Sequence, residues 1–341
     1  MTNTARAMTR VAGVIGLALA ASLALTACST DDAGEGPDKL TLQTSWLPSV
    51  QFSGSYIADD AGYYEDEDLD VSILPGGPDV ANDAVVAAGN ADIGLTNADN
   101  VARANAEGAD LVIVAAGFQK QPFAILSAPD DPLNKPKDLI GKRIGVPSAD
   151  TALLDTFLEL NDIDKSDVTV VPVGFDVAPL VSGEVDGLVA FYTEQPTAYT
   201  AATGEKGVTM LVGDYGLDVY AQVYVVRRET LDDPDARDRI TRFLKAEKKG
   251  WGDVVDDVQH AVDLTVETYA KDGGLSAEQQ LAQATLQLDL LTSPDTEKHG
   301  LFWISDDGIK RNIATITALG ISGADASMFD TSILESLADT K

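Results

Sequence analysis

Leu69-Asp70-Val71-Ser72-Ile73-Leu74, followed by Pro75-Gly76-Gly77-Pro78-Asp79 and an alanine-rich run to Ala88, is the stretch that decides the fold. Its first six residues alternate apolar and polar, the period of a half-buried strand. The Pro-Gly pairs mark a turn. Asp79 is placed to cap a helix running to Ala88, and Gly89 is placed to stop it. Ile93-Gly94-Leu95 then reads as a short buried strand. Strand, turn, helix and strand in this order make the βα repeat of an α/β domain.

The repeat extends in both directions. Upstream, Leu40 to Gln43 reads as an opening strand and residues 54 to 64 as a helix ending near Tyr63-Tyr64. Downstream come a helix to Ala106 and a strand from Leu111 to Ala115. A second series follows: strand Arg143 to Val146, helix Thr151 to Leu160, strand Val168 to Val173, a short helix Val177 to Val181, and strand Leu188 to Phe191. Leu154, Phe157 and Leu158 share one helix face. Phe123 to Ser127 and Ala221 to Val226 are apolar and extended, and are expected to carry the chain to a second domain and back. From Asp235 the period becomes helical, with stripes at Ile240, Phe243, Leu244 and Trp251, and at Val254, Val258, Val262, Val266 and Tyr269. Ser276 with Gln279 forms a capping box before Leu281, Ala284, Leu288 and Leu291, and a last helix carries Ile309, Ile313 and Ile316. The expected architecture is therefore two α/β lobes joined by two strands. Residues 39–125 and 222–341 form the first lobe and residues 126–221 the second, with the C-terminal helices wrapping the first. Open α/β sheets bind ligands beyond the carboxyl ends of their strands, so facing lobes predict a cleft that closes by hinge motion.

Ahead of the first lobe, Arg6 and Arg10 precede an apolar run over residues 11–27 that ends in Leu25-Thr26-Ala27-Cys28. Basic region, apolar core and small-residue cleavage site are the parts of an export signal over residues 1–27, and the run is short for a membrane span of ~20 residues. Residues 28–38 are small, acidic and Gly-rich, as in a flexible tether. Leu-Thr-Ala-Cys resembles the lipobox of bacterial lipoproteins, which implies a lipid on Cys28, the only cysteine, and an extracytoplasmic, membrane-anchored protein. The alternative is a secreted chain in which Cys28 is incidental. Removing a leader with two arginines and no acid takes the formal charge from −31 to about −33. So acidic a chain is unsuited to nucleic acid or to electrostatic docking on anionic lipid. With Cys28 committed to lipid, stability must come from an apolar core rather than disulfides, and a hydrophobic fraction of 45% supplies one.

Motifs for chemistry are weak. His260 and His299 fall in the helical region with no clustered partner at metal-ligand spacing. Gly141-Lys142 lacks the leading Gly of a phosphate loop, since position 136 is Pro. Pro75 to Asp79 lacks dinucleotide-binding spacing, and no G-x-S-x-G occurs. No catalytic residue, metal or cofactor is expected. The expected partner is a small-molecule solute, bound by a monomer.

The informative polar residues sit on strand-to-helix loops. Trp46 and Gln51 follow the first strand; Thr96, Asn97, Asp99 and Asn100 follow Ile93 to Leu95; Gln119 follows the strand ending near Ala115. In the second lobe, Ser148, Asp150 and Thr151 lie between a strand and a helix, and Tyr192, Thr193 and Glu194 end Leu188 to Phe191. The set Trp46, Gln51, Asn97, Asp99, Gln119, Ser148, Tyr192 and Glu194 suits a flat, polar-edged ligand. Trp46 and Tyr192 would stack on its faces. Asn97, Gln119 and Glu194 would pair with its edges, Glu194 accepting from an amine or amidine. The competing roles are a core position for Trp46, helix caps for Asn97 and Asp99, and a dipole-complementing residue for Glu194.

The run Trp46-Leu47-Pro48, Gln51 to Ala58, Gly62-Tyr63-Tyr64, Leu69-Asp70-Val71 and Pro75-Gly76-Gly77-Pro78 resembles the opening of NMT1/THI5-like (SsuA/THI5-like) solute-binding proteins of ABC importers. Gly89-x-Ala91-Asp92-Ile93-Gly94, Asp138 to Lys142, Gly183 to Gly187 and Glu194-Gln195-Pro196 are further matches. The resemblance implies a type II periplasmic-binding-protein fold that closes on its solute and delivers it to an ABC permease in the membrane. It also implies a thiamine-type pyrimidine as solute, with Trp46 and Tyr192 stacking and Glu194 accepting its amine. Flavins, sulfonates and other nitrogenous compounds are the alternatives. The group includes pyrimidine-forming and desulfinating enzymes that rely on cysteines, and this chain has no cysteine after Cys28.

Overall fold

The computed structural model describes residues 36–338. The expected export signal, Cys28 and most of the expected tether lie outside the described residues. The end of that tether does not: Asp38 is already the first residue of a strand.

Strands β1 (Asp38–Gln43), β2 (Leu69–Leu74), β3 (Ile93–Thr96), β4 (Leu111–Phe118) and β5 (Phe123–Ser127) are followed by β6 (Arg143–Pro147), β7 (Thr169–Val173), β8 (Gly187–Phe191), β9 (Val208–Leu211) and β10 (Ala221–Arg227). They form two five-stranded sheets, in the orders β2-β1-β3-β10-β4 and β7-β6-β8-β5-β9. β1 is parallel to β2 and β3, and β6 is parallel to β7 and β8. One strand in each sheet opposes both neighbours: β10 in the first and β5 in the second. The two sheets thus share one plan, and each opposing strand is the segment that directly follows a crossing between lobes.

This corrects the role expected for Phe123 to Ser127 and Ala221 to Val226. Both are internal strands rather than links, and residues 119–122 and 212–220 make the crossings. All of Ala221 to Val226 and all of Ala124 to Ser127 are buried, as strands covered on both faces are. The short strand β9 was absent from the expected elements. It lies at the sheet edge beside β5.

Period-two alternation divides the second lobe into two cores. Ile125 and Val189 join Ile144 and Phe157 on one face of the sheet, and Leu126, Leu188 and Ala190 join Leu180 and Tyr199 on the other. Pro172 sits in β7, where an edge strand tolerates its missing N–H.

The helices are α1 (Ser53–Asp60), α2 (Asn82–Ala87), α3 (Ala98–Ala106), α4 (Thr151–Leu160), α5 (Ala178–Val181), α6 (Gln195–Thr203), α7 (Arg228–Asp232), α8 (Pro234–Asp256), α9 (Val258–Leu264) and α10 (Ala277–Leu291), with later helices including Asp306–Ala318. Asp79 does not cap α2, which begins three residues later with Ala81 at its N-cap position. The valine stripe from Val254 to Val266 is interrupted at Asp257, whose φ of −142° ends α8 and whose carboxylate accepts the His260 N–H at 3.0 Å to start α9. The Ser276 hydroxyl accepts the Gln279 N–H at 3.3 Å, as the capping box requires.

The first lobe is locked where α1 meets α8. A Cβ on Gly54 would lie 2.3 Å from the Trp251 ring, and one on Gly250 would lie 2.2 Å from the Gly54 carbonyl oxygen. Two glycines therefore permit the close approach. Beside them the fully buried Glu247 accepts hydrogen bonds from Ser55 at 3.0 Å, from Tyr224 at 2.5 Å and from Tyr64. Burial pushes its carboxyl up, and these hydroxyls oppose that rise.

Candidate functional site: the cleft between the lobes

A cleft of about 500 Å³ opens between the two sheets, within the ~300–1,000 Å³ usual for small-molecule sites. Its walls come from the carboxyl ends of the parallel strands: Ser45 and Trp46 after β1, Gly77 and Pro78 after β2, and Thr96 and Asn97 at β3. The second lobe adds Pro147 at the end of β6 and Asp150 after it, Phe175 after β7, and Phe191 at the end of β8 with Glu194 after it. A larger groove of about 870 Å³ lies between α6 and α10. Among those strand ends it touches only that of β8, through Tyr192, so the topology favours the cleft.

The wall of the first lobe is held from behind. The Trp46 carbonyl accepts the Gly76 N–H at 3.0 Å and the Thr44 hydroxyl at 3.2 Å. A Cβ on Gly76 would stand 2.4 Å from the Thr44 carbonyl oxygen, so only glycine lets this loop seat against the Trp46 turn. The next turn is clamped by α10: Gln280 accepts the Val50 N–H at 3.0 Å, and Gln287 donates to the Val50 carbonyl at 3.1 Å. The helices that wrap the lobe thus fix the loop carrying Trp46 and Gln51.

In the second lobe, Gln195 does the positioning. Its Oε1 accepts the Phe191 N–H at 2.7 Å, and its Nε2 donates to the Phe175 carbonyl at 2.9 Å. Phe191 meets Phe123 edge to face, with ring centroids 5.8 Å apart. Phe175 is 60% exposed and Leu47, beside Gly77, is 53% exposed. These are apolar surfaces left without a covering partner. The lining contains no Lys or Arg. Its carboxylates are Asp150, which burial pushes up to about 6, and Glu194, also raised by burial.

Of the residues singled out from the sequence, the structure brings Trp46, Gln51, Asn97 and Glu194 together in the cleft. Asn97 stands at the N-cap position of α3, yet its Oδ1 accepts the Gln222 N–H at 3.2 Å instead of capping the helix. Glu194 stands at the N-cap position of α6 and likewise makes no side-chain cap bond. The other four lie off the cleft lining. Asp99, in the first turn of α3 beside Asn100, is not part of the lining, and Arg103 is its cationic neighbour. Gln119 follows Phe118 on the opposite side of the chain; it donates to the carbonyls of Ala116 and Trp303 at 3.0 and 3.1 Å and accepts from Ser293 at 3.1 Å. Tyr192 alternates away from Phe191, and its hydroxyl donates to Asp289 of α10 at 3.2 Å. Ser148 is exposed, and its carbonyl accepts the Thr151 hydroxyl at 3.3 Å. The site residues that the sequence reading missed include Phe118, Phe123, Phe175, Phe191, Asn82 and Gln222. Period two could have found one of them, since Val189 and Phe191 share the face that meets the cleft.

With this geometry established, the chain can be set beside known proteins. The family model described as NMT1/THI5 like matches residues 49–261, well over half the chain, and the chain belongs to that family. It is 25% identical over 254 residues to the formylaminopyrimidine-binding protein of Halalkalibacterium halodurans, covering 72% of this chain and 76% of that one. It is 24% identical over 273 residues to the riboflavin-binding protein RibY of Chloroflexus aurantiacus, covering 76% of each. A 4-amino-5-hydroxymethyl-2-methylpyrimidine phosphate synthase of Legionella pneumophila also matches, at 22% identity over 66% of this chain and 72% of that one. In fold the chain resembles the periplasmic aliphatic sulphonate binding protein SsuA of Escherichia coli, with a TM-score of 0.61 at 17% identity, covering 83% of this chain and 86% of that one.

Proposed function

We propose that this NMT1/THI5-like protein is the extracytoplasmic solute-binding component of an ABC importer, that it takes a small heteroaromatic solute, and that the solute is a thiamine-type pyrimidine. The observation that carries the reading is the lining of the cleft. Trp46 offers a ring face, Asn97 and Gln51 offer amides, Glu194 offers a carboxylate, and no Lys or Arg stands ready for a sulfonate. The formylaminopyrimidine-binding relative supports the same class of solute. Binding proceeds by closure of the lobes over the ligand, covering Phe175 and Leu47, with no covalent step. Closure then presents the loaded protein to a permease, and a lipid on Cys28 keeps it at the membrane as a monomer. The lipid's role is retention: a freely secreted receptor would lose its solute to the medium.

The test is a thermal-shift screen with 4-amino-5-hydroxymethyl-2-methylpyrimidine, thiamine, riboflavin, taurine and nitrate. A ligand at a hundred times its Kd adds ~2.7 kcal/mol of stability. Stabilisation by the pyrimidines is the expected result, and stabilisation by taurine or nitrate alone would overturn the ligand assignment. The synthase-named relative motivates a second arm. Pyrimidine recovered unchanged after tight binding is expected here, and its conversion would establish an enzyme instead.

A further inference from the structure

The cleft is rich in acceptors that have nothing to accept. Asn82 donates its Nδ2 to the Ser45 carbonyl at 3.1 Å, and Gln222 donates its Nε2 to the Gln51 carbonyl at 3.0 Å. A carbonyl can only accept, so each amide is pinned with its nitrogen on the backbone and its oxygen turned the other way. Both oxygens, Asn82 Oδ1 and Gln222 Oε1, are buried without a partner. Gln222 is only 2% exposed, and burial of an unpaired acceptor is costly. Its backbone is also held at φ +47°, the left-handed region that non-glycine residues avoid. Such strain persists where surrounding structure over-determines it, and it gathers at ligand sites.

The second lobe adds two more acceptors. The carboxylates of Asp150 and Glu194 line the same cleft, and neither has a hydrogen-bond or ion-pair partner among the described residues. Asn97 Nδ2, Trp46 Nε1, the Gln51 amide and the Ser45 hydroxyl are neutral donors nearby. The two carboxylates are thus left for an occupant that brings hydrogens, and the two amide oxygens, shut off from solvent as the cleft stands, become reachable once a bound solute shifts the side chains beside them.

We infer that the cleft selects a solute that enters as a cation bearing several N–H donors, with Asp150 and Glu194 taking its charge and Asn82 and Gln222 its remaining hydrogens. The inference rests on the solute-binding reading of this cleft and narrows its class. An amine- or amidinium-bearing ring is preferred to its neutral alcohol counterpart, and Asp150 becomes a specificity residue beside Glu194. A solute that meets all four acceptors bridges the lobes.

The test is calorimetric titration of the chain near neutral pH with 4-amino-5-aminomethyl-2-methylpyrimidine, a cation, and its uncharged 5-hydroxymethyl counterpart. A charge-assisted hydrogen bond in place of a neutral one predicts a preference of ~10-fold or more for the amine. That preference falls towards parity in Asp150→Asn and in Glu194→Gln. Equal affinities in the unaltered protein, or a preference that survives both substitutions, overturn the inference. Benzylamine against benzyl alcohol, read by ligand-observed NMR, separates it from the pyrimidine reading. If neither pyrimidine binds and benzylamine is preferred, the pyrimidine reading falls and charge selection stands. If both pyrimidines bind alike, charge selection falls and the pyrimidine reading stands. Absence of amine preference in both pairs overturns the inference outright.

Discussion

Replacing Asp150 by Asn should make the unliganded protein more stable while making it a poorer receptor for a cation. Burial without a compensating partner pushes the Asp150 carboxyl up to about 6, against ~3.9 for a free aspartate. That is roughly a 100-fold change in proton affinity, equivalent to ~3 kcal/mol for a fully desolvated group. Asp150 is partly open to water, so solvent screening reduces the stability effect to ~1–2 kcal/mol. The sign follows from linkage. Above pH ~6 the group is ionised in both folded and unfolded chains, and only the folded chain bears the desolvation cost. As pH falls from ~6 towards ~4, the folded chain takes up its proton first and gains stability; below ~4 both are protonated and the gain levels off. Asn has the shape of the protonated acid and no such dependence. Urea denaturation of both unliganded proteins at about pH 8, 6 and 4 should therefore show the variant ahead by ~1–2 kcal/mol at pH 8, with the gap closing by pH 4. Glu194 is also raised by burial and remains in both proteins, so it largely cancels in the comparison. A variant less stable than the parent at pH 8, or a gap that ignores pH, would refute the account of Asp150 as a carboxylate desolvated in readiness for a charged ligand.

Glu194→Gln should weaken binding of an aminopyrimidine by ~10-fold or more while changing riboflavin affinity little, as two parallel titrations would show. Gly76→Ala places a Cβ 2.4 Å from the Thr44 carbonyl oxygen; it should cost ~1–3 kcal/mol in denaturant unfolding and weaken every ligand alike by displacing Trp46. Tyr192→Ala removes a hydroxyl bonded to Asp289 outside the cleft lining. Affinity should stay within ~3-fold of the parent, whereas loss of a stacking partner would cost about 10-fold. Glu247→Ala strands the hydroxyls of Ser55, Tyr64 and Tyr224 in the core of the first lobe, and urea unfolding should register a loss of ~3–5 kcal/mol.

What could be read from the sequence was set by period. Leu69 to Leu74 and Thr151 to Leu160 appear with the bounds their patterns indicate, because alternation and a single apolar face are local signals. Asp79 had the right residue type for a cap, but a cap depends on backbone path: Pro78 and Asp79 form a turn closed by the Val80 N–H on the Gly77 carbonyl, which leaves Ala81 at the N-cap position. Phe123 to Ser127 and Ala221 to Val226 had the composition of strands, while their place inside the sheets depends on neighbours distant in sequence. The site divides in the same way. Strand-end polar residues were visible as a class, and four of the eight named reach the cleft. Whether Phe191 or Tyr192 faces the ligand depends on a one-residue register, and a one-residue error exchanges the faces. Asn82 and Gln222 carried no signal at all, since their significance lies in what their amide nitrogens already hold.

The insertion of β10 between β3 and β4 has a consequence for the order in which the chain acquires its shape as it emerges. The second sheet is complete once residue 211 has emerged, for all five of its strands lie within residues 123–211. The first sheet keeps an empty slot until residues 221–227 arrive, with open edges on β3 and on the wholly buried β4. Chains that stop short of residue 221 therefore carry a finished second lobe beside two unpaired apolar edges, the kind of surface on which nascent proteins aggregate. The lobe encoded first is the lobe completed last.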